Sequence, residues 1–406
     1  MSGQRSGQGA GRITARITKA LDAVPQESDF TSRLRGPGVT SRVGLWLGVC
    51  FAVAFLTGIY SHVAQVPHPW LPLPTRPSSF YRVTQGAHVI AGTGAIPLLL
   101  VKLWSVYPKL FARVRLGDPR ALLLHSLERA SIAVLVASAI FELASGTANA
   151  AQWYPWGFAF PQTHFAVGWL AAGALLVHIA VKLPVIRDAL ARDLEADHPA
   201  EPTTMAEGDA LSRRSLLRVT WLAAGVAVLA TAGSTVPALR RVSVLGVRSG
   251  DGPSGVPVNT SARAAGVLSL ATDPGYRLTV VGGPVPRSLS RADLEALPQT
   301  TASLPIACVE GWSASATWTG VRVRDLLDLM GVPADRDVVV HSLQPAGAYR
   351  TTVLPANFAA DPDTLLALRL NGQPLSLDHG FPCRLIAPNR PGVLQTKWVS
   401  RLEVSP

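Results

Sequence analysis

Cys308 lies in the run Leu304-Pro-Ile-Ala-Cys-Val-Glu-Gly-Trp-Ser313, a lone thiol among small and aromatic residues. A thiolate binds soft or high-valent metals strongly, and a single one leaves coordination positions free for other ligands and for substrate. Two later segments, His379-Gly-Phe-Pro-Cys-Arg384 and Lys397-Trp-Val399, carry cations. Folded back over the thiol they suit an anionic cofactor, because a buried phosphate needs charge-assisted donors. Arg supplies a planar fork and Lys a point charge. The competing reading of Arg384 and Lys397 is surface ion pairing, with His379 shaping a turn before Gly380. One cysteine does not hold zinc alone. With His341 and His379, the two histidines of this region, Cys308 would make a copper or zinc site instead. The other cysteines, Cys50 and Cys383, build no disulfide framework and no CxxC zinc pattern, although a Cys308–Cys383 bridge is formally open. Cys50 reads as a small buried thiol inside an apolar helix.

The elements that must position these groups follow from composition. At 406 residues the chain suits two units. The first part is apolar with long uncharged runs, and the stretch from Gly266 onward has the mixed polarity of a globular domain. The formal charge is +11, yet twelve Lys and Arg balance twelve Asp and Glu over 266–406, so the whole excess precedes the globular part. Basic residues confined to alternate loops of an apolar bundle are an orientation signal and not a phosphate-binding stripe, which argues against nucleic acid.

Residues 1–41 read as a disordered cytoplasmic tail. Apolar segments near 43–64, 82–104, 122–144 and 163–186 each approach the roughly 20 residues that cross a bilayer core, giving a four-helix transmembrane bundle over 42–187. Arg33, Arg35 and Arg42 precede the first span, and Lys102, Lys109, Arg113, Arg115 and Arg120 fill the second connection, which places both in the cytoplasm. Residues 188–211 form an acidic, Pro-containing cytoplasmic linker. Ser212-Arg-Arg-Ser-Leu-Leu217 then resembles a twin-arginine export signal, with Leu216 where Phe is usual, and opens a fifth apolar helix within 212–237. The plain alternative is an ordinary positive-inside anchor. Residues 238–265, rich in Gly, Pro and Ser, are expected to act as an extracytoplasmic tether. Short β-rich runs such as Arg277-Leu-Thr-Val-Val281 and Asp337-Val-Val-Val-His341, irregularly mixed with short helical patterns, predict an α+β catalytic domain over 266–406.

Ala307-Cys-Val-Glu-Gly-Trp-Ser313, Trp318-Thr-Gly-Val321, Asn371-Gly-Gln-Pro-Leu375, His379-Gly-Phe-Pro-Cys-Arg-Leu385 and Lys397-Trp-Val399 together resemble, in order and separation, the sulfite-oxidase-type molybdopterin-binding oxidoreductase family. The resemblance covers 266–406. It implies that Cys308 is the catalytic thiolate ligand of molybdenum, whose other sulfurs come from the pterin, and that His379, Arg384 and Lys397 lie in the segments that bind the cofactor. Two stretches depart from the family: Ser342-Leu-Gln-Pro-Ala-Gly-Ala-Tyr349, and Pro388-Asn-Arg-Pro-Gly-Val-Leu-Gln395. They leave substrate and reaction direction open between sulfite oxidation and sulfoxide reduction.

Four histidines, His88, His125, His164 and His178, fall within or at the edges of the spans, where ionisable groups are costly without a partner. His164 and His178 are fourteen residues apart, about 21 Å of helical rise on nearly one face. His88 with His164, and His125 with His178, make two trans-helix pairs, and His62 is a substitute for His88. The four spans thereby resemble a di-haem cytochrome b. The bland reading is interfacial histidines that cap helix ends, above all for His125. The sequence as a whole predicts an all-α membrane helix bundle of four spans plus a fifth anchor, followed by a mixed α+β molybdopterin domain. It would be a multi-pass protein of a bacterial-type plasma membrane, N-terminus cytoplasmic and catalytic domain outside. Molybdenum-molybdopterin and two b haems are the expected cofactors, a small-molecule or sulfoxide-type compound the substrate, and a quinone or other redox partner the electron exchanger. A haem-free anchor with a separate electron carrier, and a non-catalytic binding module, are the alternatives.

Overall fold

The computed structural model describes residues 25–26, 29–30, 32–111, 119–195, 211–246, 252–333 and 335–404. Most of the expected tail and the linker stretch 196–210 lie outside these residues. Among the described residues, five long helices precede the first strand: α1 Pro37–Ala64, α2 Phe80–Val106, α3 Pro119–Ala150, α4 Phe160–Ala191 and α5 Arg213–Thr231. All five contain segments long and apolar enough to cross a membrane. Proline opens α1 and α3, where its missing N–H costs nothing, so the first helix begins five residues before the expected boundary at 42. Pro97 and Pro184 lie inside α2 and α4, a placement that spanning helices tolerate when neighbours satisfy the freed backbone groups. The fifth helix stops short of the expected 237. Ser243 Oγ donates to the Leu229 carbonyl at 2.5 Å and accepts from the Gly233 N–H at 2.7 Å. It thereby takes both partners of what would be the next helical hydrogen bond.

Backbone contacts divide the chain into two units. The first comprises Met1–Cys50, Gly94–Phe141 and Trp169–Gly225. Its core is Val39, Val43 and Leu98, with Leu47, Cys50, Val101, Leu194, Leu216 and Leu217 packed around them. Arg42 donates to the carbonyls of Ala189 at 3.2 Å and Arg192 at 2.8 Å, satisfying groups that the end of α4 leaves open. The arginine pair that opens α5 is engaged by its own chain. Arg213 is buried and donates to the carbonyls of Arg33 and Leu194, and Arg214 pairs with Asp193 and Glu195.

The second unit comprises Phe51–Thr93, Glu142–Gly168 and Val226–Pro406. Its strands are β1 Leu278–Val281, β2 Arg287–Leu289, β3 Thr300–Ala307, β4 Ser313–Arg322, β5 Val338–Ser342, β6 Thr351–Leu354, β7 Leu365–Leu370, β8 Gln373–Pro374, β9 Arg384–Ile386 and β10 Val399–Val404. One sheet has the order β2-β1-β10-β5-β6; the other runs β3-β4-β7-β8, with β9 also on β7. β1 and β10 are parallel, while the remaining pairs in both sheets are antiparallel. Burial alternates along β1 and β5, the period of a strand with one covered face. Leu278, Val280, Val338 and Val340 join Leu326 and Leu327 of the helix Val323–Leu329, together with Leu366 and Leu402, in the main core. Burying each such side chain stabilises the domain by about 1.5–3 kcal/mol. The domain is mixed α+β.

The stretch 252–265, expected to belong to a tether, packs into this domain. Val256 and Ala262 are fully buried, Ala262 N–H donates to Asp378 Oδ1 at 2.8 Å, and Asn371 Nδ2 donates to the Ser254 carbonyl. Its backbone carbonyls, which no side-chain pattern announces, serve the site described next.

Candidate active site

Cys308 follows the last residue of β3, and Ser313 opens β4, with Ala307 paired to Ser313 across the hairpin. Residues 308–312 therefore form a tight loop at the end of two long strands. It is closed by Cys308 N–H to Trp312 O at 2.9 Å and Gly311 N–H to Cys308 O at 3.0 Å. Gly311 has φ +88°, and a Cβ there would meet Val89 Cγ2 at 2.8 Å, so both the turn and its neighbour require glycine. Cys308 is 1% exposed. Burial first, and then the Glu310 carboxylate, push its thiol well above the ordinary range. A coordinating cation reverses this balance and removes the proton outright.

Glu310 organises the loop. Its Oε2 lies 3.7 Å from Cys308 Sγ and accepts from Trp312 Nε1 at 3.0 Å and Gln152 Nε2 at 2.7 Å. Behind the loop, the Val309 carbonyl accepts from Gln85 Nε2 at 3.2 Å and Asn149 Nδ2 at 3.1 Å. Thr235 Oγ1 donates to the Gly311 carbonyl. Gln85, Asn149 and Gln152 lie on α2, at the end of α3 and just beyond it, and sequence reasoning missed all three. The available signal was an amide side chain near the end of an apolar helix, a position where polar groups persist only with a partner.

The cationic segments come together from β9, the turn before it and the turn before β10. Gly392 packs on the cysteine loop so closely that a Cβ would sit 3.0 Å from the Ala307 carbonyl and 3.6 Å from Cys308 Cα. Arg384 is 3% exposed; its Nη1 and Nη2 donate to the carbonyls of His379 at 3.2 Å and Gln395 at 3.1 Å, and its guanidinium lies over the Trp318 ring. Its Nε is buried with no partner. Burial depresses its pKa to about 9. Lys397 Nζ donates to Asn259 Oδ1, the Thr260 carbonyl and the Asp378 carbonyl. Burial, then the Arg384 charge, lowers Lys397 to about 7, while Asp378, Cys308 and Glu310 pull the other way. His379 Nε2 is held by the carbonyls of Pro253 at 2.8 Å and Val256 at 3.1 Å, and burial followed by Arg384 depresses it to about 4. His379 thus pins the 253–256 segment as a neutral ring. Among the described residues, no carboxylate forms an ion pair with Arg384 or Lys397. A buried arginine with an orphaned donor and a half-buried lysine, neither in an ion pair among the described residues, fit an anionic group such as the phosphate of a pterin cofactor.

His341 lies 3.4 Å from Glu403, on β5, and His379 is committed as above. Among the described residues no cluster of three or more His, Cys, Asp or Glu side chains is placed to hold a metal ion, so the protein-only copper or zinc alternative has no ligand set there. Cys383 is fully buried, 3.1 Å from the Tyr276 hydroxyl, and free.

Of the helix histidines, the structure brings His88 and His164 together, with ring centroids 6.2 Å apart and planes at 71°. His88 Nδ1 lies 2.8 Å from the Ala54 carbonyl and 3.3 Å from Thr57 Oγ1, while His164 Nδ1 lies 3.0 Å from Ser145 Oγ. An Nδ1 fixed by a backbone or hydroxyl group, leaving Nε2 for a metal, is the usual arrangement of a ligating histidine. His164 Nε2 lies 3.2 Å from Glu142 Oε2. His62 stacks on Phe165 instead, with ring centres 3.6 Å apart. His178 is on α4 in the first unit, and the side chain of His125 lies outside the described residues.

The family profile described as "Oxidoreductase molybdopterin binding domain" matches residues 265–406, and the C-terminal part of the chain is a sulfite-oxidase-type molybdopterin-binding domain. Among curated proteins, the mitochondrial sulfite oxidase of Drosophila melanogaster is 32% identical over 155 residues, 32% of this chain and 27% of that protein. The human mitochondrial sulfite oxidase is 32% identical over 159 residues, 32% of this chain and 29% of that one. A putative protein-methionine-sulfoxide reductase subunit of Azospira oryzae is 37% identical over 113 residues, 28% of this chain and 42% of that protein. The chain therefore spans well under half of each of these relatives. Among solved structures, the sulfane dehydrogenase of Paracoccus pantotrophus matches with 25% identity and a TM-score of 0.31, covering 33% of this chain and 40% of that one.

Proposed function

We propose that the protein is a membrane-bound molybdopterin-dependent oxidoreductase that moves an oxygen atom to or from a sulfur compound, with the catalytic domain outside the cytoplasm. The observation that carries this reading is the buried thiol of Cys308 together with two cations, the buried Arg384 and the half-buried Lys397, that form no ion pair among the described residues. The relatives' names, sulfite oxidase and protein-methionine-sulfoxide reductase subunit, both describe oxygen on sulfur and support that substrate class. Bound molybdenum would supply two-electron oxygen-atom transfer, and haem would carry the electrons singly.

In this reading the chain's own residues bind and hold. Cys308 is the protein ligand to the metal; Arg384 and Lys397 neutralise the cofactor's phosphate; His379 keeps the 253–260 segment in place, from which Asn259 and Thr260 steady Lys397. Gln152 and Trp312 fix the Glu310 carboxylate beside the thiol. His88 and His164 would hold one b haem between α2 and α4, with a quinone as the far electron partner; a second haem at His125 and His178 completes the di-haem reading. The twin-arginine segment at Arg213 and Arg214 would export the folded head with its cofactor in place. Molybdenum and haem quantification with an optical spectrum, on wild type and on Cys308→Ser, tests the proposal. Near-stoichiometric molybdenum and a Soret band support it. A chain without molybdenum from a cofactor-competent host overturns it, and molybdenum without haem leaves the helices as an anchor.

A further inference from the structure

The chain leaves α5 at Thr231 and then turns back along it. Ser243 Oγ holds the Gly233 N–H and the Leu229 carbonyl, and the Leu245 N–H donates to the Ala230 carbonyl at 2.8 Å. Leu245 therefore lies level with the last turn of the helix. Gly233 allows the close approach, because a Cβ there would meet Ser243 Cβ at 2.5 Å and Arg240 Cα at 2.8 Å. The short helix Pro237–Leu239 makes the turn between the outgoing and returning segments.

Three apolar side chains of the returning segment face outward. Val242 is 58%, Val244 72% and Leu245 72% exposed, while Ser243 among them is buried. The backbone here suits the edge of a hydrocarbon layer, where irregular chain persists only if its polar groups are satisfied internally. The N–H groups of Leu239, Arg240, Val242, Ser243, Leu245 and Gly246 all donate to carbonyls between Ala230 and Ser243. Nearer the turn, Arg240 and Arg241 are exposed, and neither has an ion-pair partner among the described residues. Apolar side chains at helix depth with cations just beyond them is the order of a segment that lies in a membrane interface.

We propose that residues 236–245 are an interfacial anchor: Val242, Val244 and Leu245 enter the acyl boundary of the leaflet at the end of α5, and Arg240 and Arg241 bind phospholipid phosphates there. The inference rests on the reading of α5 as a membrane span. The start of the same turn grips the catalytic loop. Ser313 N–H donates to the Ser234 carbonyl at 2.9 Å, Ser313 Oγ to the Thr235 carbonyl at 2.8 Å, and Thr235 Oγ1 to the Gly311 carbonyl. The lipid-bound turn thereby fixes the Cys308 loop at the bilayer surface.

The test uses the full chain carrying Cys50→Ala, in vesicles of phosphatidylethanolamine and phosphatidylglycerol. Nitroxide labels are attached singly through Val242→Cys, Val244→Cys and Leu245→Cys, with Leu222→Cys on α5 and Val285→Cys on the catalytic domain as references. All five positions are exposed, and the remaining cysteines, Cys308 and Cys383, are buried. Saturation of the electron paramagnetic resonance signal compares access to oxygen, which concentrates in lipid, with access to a water-soluble nickel chelate. The three turn labels should favour oxygen at least threefold more than the Val285 label does, as the Leu222 label should. Turn labels that match Val285 overturn the anchor, whereas a Leu222 label that favours the chelate removes the membrane reading of α5 itself. Arg240→Gln with Arg241→Gln should move the Val244 label toward the chelate, and an unmoved label overturns the role of the arginines. A measurement without labels completes the test. Val244→Asp with Leu245→Asp should quicken hydrogen exchange of the Ser313 amide at least tenfold, while Val340, in the core of the catalytic domain, exchanges as in wild type. Ser313 exchange at the wild-type rate overturns the link between the anchor and the Cys308 loop.

Discussion

Arg384 Nη1 donates to the carbonyl of His379 at 3.2 Å while its Nε, buried in the same place, has no partner. An arginine kept from water with its hydrogen bonds incomplete and no carboxylate at hand is an expensive arrangement unless an anion completes it. The phosphate of the proposed cofactor would relieve this tension.

Arg384→Met therefore separates binding from folding. The substitution removes the planar donor, and cofactor content, read as molybdenum per chain, should fall at least tenfold. The melting temperature of the metal-free protein should stay within a few degrees of wild type, because the lost hydrogen bonds are offset by relief of a buried unpaired charge. A purely structural Arg384 would give the opposite pattern.

Lys397 gives a pH dependence of definite sign. Its pKa falls from the ordinary 10.5 to about 7 in the folded chain, through burial first. Between those values the unfolded chain binds the extra proton, so stability rises with pH, by at most about 1.4 kcal/mol per unit. Thermal unfolding of the metal-free protein from pH 7 to 9 should show this rise, and Lys397→Met should flatten it. A bound anion raises the lysine's pKa, so the slope should also shrink in the holoenzyme.

Asn389 ties the cofactor domain to the segment leading into α2. Its Oδ1 accepts from Tyr81 N–H at 2.7 Å and its Nδ2 donates to the Pro74 carbonyl at 2.7 Å. Asn389→Ala leaves the buried Tyr81 N–H unmatched, a loss of about 2 kcal/mol. Hydrogen exchange at the Tyr81 amide should then quicken by about 30-fold through local opening. Exchange at wild-type rate would show the contact to be incidental.

His88→Ala and His164→Ala should each abolish the Soret absorbance of one haem in the purified protein, while His62→Ala, whose ring stacks on Phe165, should retain it. Retention of full absorbance in both of the first two variants would place any haem elsewhere.

The sequence made some of this legible and hid the rest for physical reasons. Uncharged runs of about 20 residues announce spanning helices, and the Ala307–Ser313 motif announces a cysteine loop because a lone thiol, a glycine and a tryptophan must sit in fixed order around a tight turn. Helix ends were less legible: the start at Pro37 uses a residue that also breaks helices, and the end at Thr231 depends on Ser243, which is distant in sequence. The role of 253–260 was invisible because its contributions to His379 and Lys397 are mostly backbone carbonyls, which every residue possesses. Gln85 and Asn149 look like stray polar residues until the fold sets both against Val309.

A bond between the Cys308 sulfur and molybdenum underlies every role proposed for the site. X-ray absorption at the molybdenum edge, on the purified wild type and on Cys308→Ser, measures it directly. The wild type should show one sulfur ligand more than the variant. An identical sulfur shell in both proteins would contradict it.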